Sequence, residues 1–171
     1  LVGIKLFASE GNRSGNSITN LAGGRIQGVA SAIYMKGDFN NHYLFSLGSL
    51  TNAGTIESII SAAAIRMDYA EVGSFENQAS GIIRGVDNAI QMYDAKFTGN
   101  FINRGLITSQ SGYGINVEGG GFDANLENYG TINGADLSRG ISLRNGTIGG
   151  DLINGENGVI EGGEGGPAQQ P

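Results

Sequence analysis

Asparagines recur along this chain at a nearly constant distance, and no other feature restricts its fold so tightly. Asn20, Asn52, Asn77, Asn103, Asn128 and Asn154 are separated by 32, 25, 26, 25 and 26 residues. Two positions before each stands a large apolar residue: Ile18, Leu50, Phe75, Phe101, Leu126 and Leu152. Four or six positions after each comes Ile26, Ile56, Ile83, Ile107, Ile132 or Ile160. A pair spaced by two follows, Ile33/Met35, Ile65/Met67, Ile90/Met92, Ile115/Val117 and Ile141/Leu143, and Phe45, Val72, Phe97, Phe122 or Ile148 closes the lap.

Spacing of two places side chains on one face of a strand. A lap of about 25 residues holds three short strands and their turns, the content of one coil of a parallel β-helix. The expected fold is therefore all-β, a single-stranded parallel β-helix of about six coils, in which like residues stack into columns and neighbouring coils share one core. Each corner asparagine then turns its amide inward, where it satisfies backbone groups freed by the turn and bonds the amides above and below it. Gly54, Gly81, Gly105, Gly130 and Gly158 lie beside these corners and suit a left-handed or crowded backbone. One stretch competes with this register: "IESIISAAAIRMDYAEV" places Ile56, Ile59, Ile60, Ala63, Ala64 and Met67 at helical spacing. Its Ile56 and Ile65/Met67 nevertheless fall in the repeat's columns, and the coil reading is preferred.

Composition agrees. The chain carries 31 glycines in 171 residues and only 15% charged residues, the profile of a turn-rich protein with polar, mostly uncharged surfaces. Cysteine is absent, so there is no disulfide or thiolate metal site. A net charge of −6 opposes binding to nucleic acid. No apolar run is long enough for a membrane-spanning helix, so membrane insertion by this chain is not expected. The start, "LVGIKLF", lacks a leader pattern, which suits a mature form or an excised piece.

Domain organisation follows the repeat. Residues 1–15 form an N-terminal strand and linker, 16–163 the β-helix with a loop excursion near 36–48, and 164–171 a Gly/Pro-rich tail. In the first segment Val2, Ile4 and Leu6 line one face and are candidate subunit contacts. The strand either caps its own first coil or is donated to the open edge of a neighbour.

Chemistry is hard to assemble from these residues. The residue after each Met/Val/Leu strand end is Lys36, Asp68, Tyr93, Glu118 or Arg144. This column reads as an exposed charge ladder pairing Lys36 with Asp68 and Glu118 with Arg144, and secondarily as a carbohydrate-processing site. His42 is the only histidine, too few for a triad or a two-histidine metal site. "GGGFD" at 119–123 is similar to a calcium-binding nonapeptide but occurs once, and "GGRIQG" and "GGEGG" lack the ending of a phosphate loop. Tyr34, Tyr43, Tyr69, Tyr93, Tyr113 and Tyr129 read as scattered surface tyrosines, with a sugar-binding stripe as the alternative. Outward positions are mostly polar except Ile102 and Ile153, which mark a candidate contact face. No catalytic residue, metal or cofactor is assigned.

The pattern GxLxNxGxIxG…GIxL, carried by "ANLENYGTINGADLSRGISL" and "GSLTNAGTIESIISAAAIRM", resembles the passenger segments of bacterial autotransporters and related exported adhesins over residues 16–162. That resemblance implies a right-handed β-helix displayed on the bacterial cell surface or outside the cell. The membrane barrel of a full autotransporter does not appear in the sequence. The expectation is a noncatalytic structural protein, either an adhesin segment or a subunit that stacks head to tail into a homo-oligomer or filament, with a host or cell-surface glycan as a second partner. The alternative is a β-helix that binds or cleaves polysaccharide.

Overall fold

The computed structural model describes residues 2–8 and 15–163. Among these residues there is no helix, and the strands wind into a parallel solenoid of about six coils. One sheet has six strands, Arg25–Gly28, Thr55–Ser58, Ile82–Gly85, Leu106–Ser109, Thr131–Asn133 and Val159–Glu161. A 12-stranded sheet bends round the rest of the coil. Its asparagine face contains Ser17–Asn20, Phe101–Asn103, Leu126–Asn128, Leu152–Asn154 and the ends of Phe45–Asn52 and Ala70–Asn77. Its third face contains Ile4–Phe7, Ile33–Lys36 and Ile65–Asp68 and the starts of Ile90–Phe97, Ile115–Phe122 and Ile141–Ile148.

Register makes the repeat physical. Ile26, Ile56, Ile83, Ile107, Ile132 and Ile160 are consecutive partners in the six-stranded sheet. Ile33, Ile65, Ile90, Ile115 and Ile141 form another column, with Met35, Met67, Met92, Val117 and Leu143 beside it. These columns interdigitate with four buried phenylalanines. Phe75 stacks on Phe101 at 4.2 Å and Phe97 on Phe122 at 5.6 Å, while Phe97 meets Phe101 edge-on at 5.0 Å. No lap has enough apolar surface to form a core by itself, so burial arises between laps.

One column changes in detail, and the alanine-rich stretch and the excursion take definite form. Leu47, not Phe45, occupies the column of Val72, Phe97, Phe122 and Ile148, because Phe45 lies opposite Ala70 and Leu47 opposite Val72. Leu47 is accordingly buried, whereas Phe45 is half-buried. The alanine-rich stretch forms the strands Thr55–Ser58 and Ile65–Asp68 with a turn between them. Ile56, Ile65 and Met67 enter the core, and Ile59 and Ile60 protrude from the corner, so the helical spacing carries no helix. The excursion leaves the coil, with residues 39–44 exposed. It is a tight hairpin in which Asp38 and Tyr43 exchange backbone bonds of 2.7 and 3.0 Å and the Asp38 carboxylate accepts from the backbone N–H groups of Asn40 and Asn41.

Within the chain, Ile4–Phe7 pairs in parallel with Ile33–Lys36, placing Ile4 over Ile33 and Leu6 over Met35. Ile4 and Leu6 pack against the core, and Val2 is half-buried just outside the strand. The tail 164–171 and residues 9–14 of the linker lie outside the described residues.

Candidate functional site

The corner asparagines form one directional ladder. Each Nδ2 donates to the Oδ1 of the asparagine in the next coil: Asn20 to Asn52 at 2.8 Å, Asn52 to Asn77 at 2.8 Å, Asn77 to Asn103 at 2.9 Å, Asn103 to Asn128 at 2.8 Å and Asn128 to Asn154 at 2.9 Å. The second amide proton turns to backbone carbonyls of the corner, as from Asn77 to Gly81 at 3.2 Å. Among the described residues no buried side-chain nitrogen or oxygen lacks a partner. The neighbouring glycines answer crowding and not handedness: a Cβ on Gly105 would stand 2.2 Å from the Gly81 carbonyl oxygen, although Gly105 has no positive φ.

Direction gives the stack unlike ends. Among the described residues Asn20 enters the ladder only as a donor to Asn52, leaving its carbonyl side toward the first coil's outer edge. Asn154 accepts from Asn128 and donates to Gly158, and among the described residues no seventh amide lies below it. Apolar columns also open at that end. Leu143 is 42% exposed where its partner Val117 is 0%, and Leu152 is 52% exposed where its partner Leu126 is 0%.

The side wall carries a second feature. Lys36, Phe39, Arg66, Asp68, Tyr69 and Tyr93 line a cleft of about 310 Å³. The excursion hairpin forms one wall, with Phe39 against Tyr69 at 4.8 Å. Asp68 accepts from Arg66 Nε at 2.9 Å and from the Tyr34 hydroxyl at 2.6 Å. Arg66 also lies over the Tyr34 and Tyr93 rings, at 5.4 and 5.1 Å. Burial, reinforced by the hydrogen bond to Asp68, pushes the Tyr34 phenol up to about 12. Burial and the nearby Glu118 raise that of Tyr93, and the bond to Asp68 raises Arg66.

The expected charge column exists in register, Lys36–Asp68–Tyr93–Glu118–Arg144, but its ion pairing differs. Asp68 pairs with Arg66, two residues back on its own strand, and Glu118 accepts from Asn116 at 3.1 Å. Of the tyrosines, 34, 69 and 93 gather around this cleft. Tyr129 instead packs under Arg104 at 4.8 Å and bonds Glu127. Ile102 and Ile153 are interleaved with Glu76 and Glu127, so they form no continuous apolar face. His42 sits in the hairpin turn with φ 56°. The run Gly119–Gly121 fits the stack closely, since a Cβ on Gly120 would lie 2.0 Å from the Ala95 carbonyl oxygen. Among the described residues no three His, Cys, Asp or Glu side chains are grouped as metal ligands.

No family model, curated protein or solved structure matches this chain. The parallel solenoid stands on its register, and the likeness to exported adhesins rests on the repeat pattern alone.

Proposed function

We propose that this protein is a noncatalytic structural unit of an extracellular or bacterial-surface fibre, extended by head-to-tail stacking of identical solenoids. The observation that carries this reading is the pair of unlike, matching ends. Continuing the register by one coil sets Ile141 and Leu143 of one copy under Ile4 and Leu6 of the next, Leu152 under Ile18, and Ile160 under Ile26. Asn154, with an amide proton to give, meets Asn20, with a carbonyl to receive.

Charge does not oppose the joint. The outward neighbours would be Ser142 with Lys5, Arg144 with Phe7, Val159 with Arg25 and Glu161 with Gln27, and none of these is a like-charge pair. Open strand edges and an apolar cross-section are surfaces that solenoids must cover. A heterologous contact of this kind does not close and therefore makes a filament. Ile4–Phe7 is already paired in its own chain, so the joint needs no strand exchange.

Negative-stain electron microscopy and sedimentation across a concentration series test the proposal. Filaments or end-to-end oligomers are expected for the full chain, and Leu152→Lys should return them to monomers without altering the fold. Monomers at every concentration, or filaments indifferent to Leu152→Lys, would remove the basis for it.

A further inference from the structure

Tyr69 has a backbone that its side chain does not favour. Its φ is +50°, in the left-handed region, and its counterparts in the following coils are Asp94, Gly119 and Asn145, with φ of 44°, 82° and 53°. Asp, Gly and Asn occupy that region readily, whereas a bulky aromatic there is an outlier that persists where other interactions or a function hold it. Burial does not account for it, because the Tyr69 ring is only half-buried. The strain delivers that ring to the cleft, against Phe39, which is itself 58% exposed at the hairpin tip.

Around the two rings stand fixed polar groups. Asp68 and Arg66 are locked together and braced by Tyr34 and Tyr93. Lys36 enters no direct ion pair among the described residues, although Asp38 on the hairpin lies near enough to feel its charge, and the lining residues carry one positive charge more than negative in a chain of net charge −6. Exposed aromatic faces suit the C–H face of a pyranose ring, immobile carboxylate and guanidinium groups suit its hydroxyls, and an ammonium without a direct ion-pair partner suits a carboxylate. A volume of about 310 Å³ lies at the small end of ligand clefts, roughly 300–1,000 Å³.

We infer that the cleft between the excursion hairpin and the third face binds a carboxylate-bearing sugar of a glycan, with its ring on Tyr69 and Phe39 and its carboxylate at Lys36. The site lies on the side wall and is independent of the ends. If copies stack, it repeats along the fibre, and weak single-site binding becomes multivalent.

Two acidic probes, sialyllactose and trigalacturonate, and two neutral ones, lactose and maltotriose, can be titrated against the full chain by NMR. An acidic probe is expected to shift the Tyr69 and Tyr93 ring signals, with the neutral probes at least tenfold weaker. Tyr69→Gly, which keeps the left-handed backbone and removes the ring, should lose at least tenfold in affinity while the melting temperature holds or rises. Lys36→Met should reduce preference for the acidic over the neutral probes. No binding of either acidic probe at millimolar concentration would overturn the assignment. So would full affinity in a folded Tyr69→Gly variant, or equal binding of the neutral probes.

Discussion

An asparagine amide has two donor hydrogens and an acceptor oxygen, and a buried rung of this ladder uses all of them. At Asn77 the acceptor takes the Asn52 amide at 2.8 Å, while the donors serve Asn103, Gly81 and Leu106. Asn77→Ala would leave several buried groups unpaired, at about 1–3 kcal/mol each, so a loss of roughly 2–4 kcal/mol in denaturant unfolding is expected. Asn154, exposed and at the end of the ladder, should cost under about 1 kcal/mol when replaced by Ala. Equal costs at both positions would contradict a buried, cooperative ladder. Tyr34 offers a test by pH. Its folded value of about 12 lies above the ordinary 10.0, so below pH 10 the phenol is neutral in both states and its stabilising effect is complete. Between 10 and 12 the unfolded chain ionises first, and stability falls as pH rises. The fall attributable to Tyr34 is about 1 kcal/mol after allowance for its partial solvent access, and Tyr34→Phe should flatten that part of the profile of denaturation midpoint against pH.

Within a coil, side-chain size is limited by the coil next to it. A Cβ on Gly81 would approach Asn77 Oδ1 to 2.3 Å and the Asn52 carbonyl oxygen to 2.5 Å, the first held by the ladder and the second by the Gln78 backbone N–H. Gly81→Ala is therefore expected to destabilise by more than about 2 kcal/mol, measured as a lower denaturant midpoint with little change in the slope. The columns themselves were legible in the sequence, because the period of two within strands and of about 25 between coils requires only that like residues recur. What was not legible depended on backbone path. The shift from Phe45 to Leu47 follows from the hairpin, whose length hides where the strand resumes. The cleft was missed for a related reason: Phe39 reaches Tyr69 only because the excursion folds back, and nothing in "FNNHYLF" shows the direction of that fold. A faint signal did exist, since Asp94, Gly119 and Asn145 share one register position and Tyr69 is the exception among them.

For the whole molecule, the direction of the ladder makes the two ends chemically different, and that difference predicts how a fibre would grow. Each described copy contributes six coils at about 4.8 Å, or roughly 29 Å of fibre. A Leu152→Lys subunit has an altered last coil but an intact first one, so it can still dock its Leu6, Ile18 and Ile26 edge onto the last coil of a wild-type copy. Once docked, it presents a charged, mismatched surface to any further copy. A small fraction of this variant mixed with wild-type protein should therefore shorten filaments in electron micrographs by ending growth at one end only. A change at the opposite end, Ile18→Lys, should terminate the other end, and adding both variants should shorten filaments more than either one. Because the chain carries −6 overall while the joint itself sets no like charges together, moderate salt should favour assembly by screening repulsion between copies. Lateral association through the side walls would behave differently: neither end variant would alter filament length, and the matching of first and last coils would have no part in assembly.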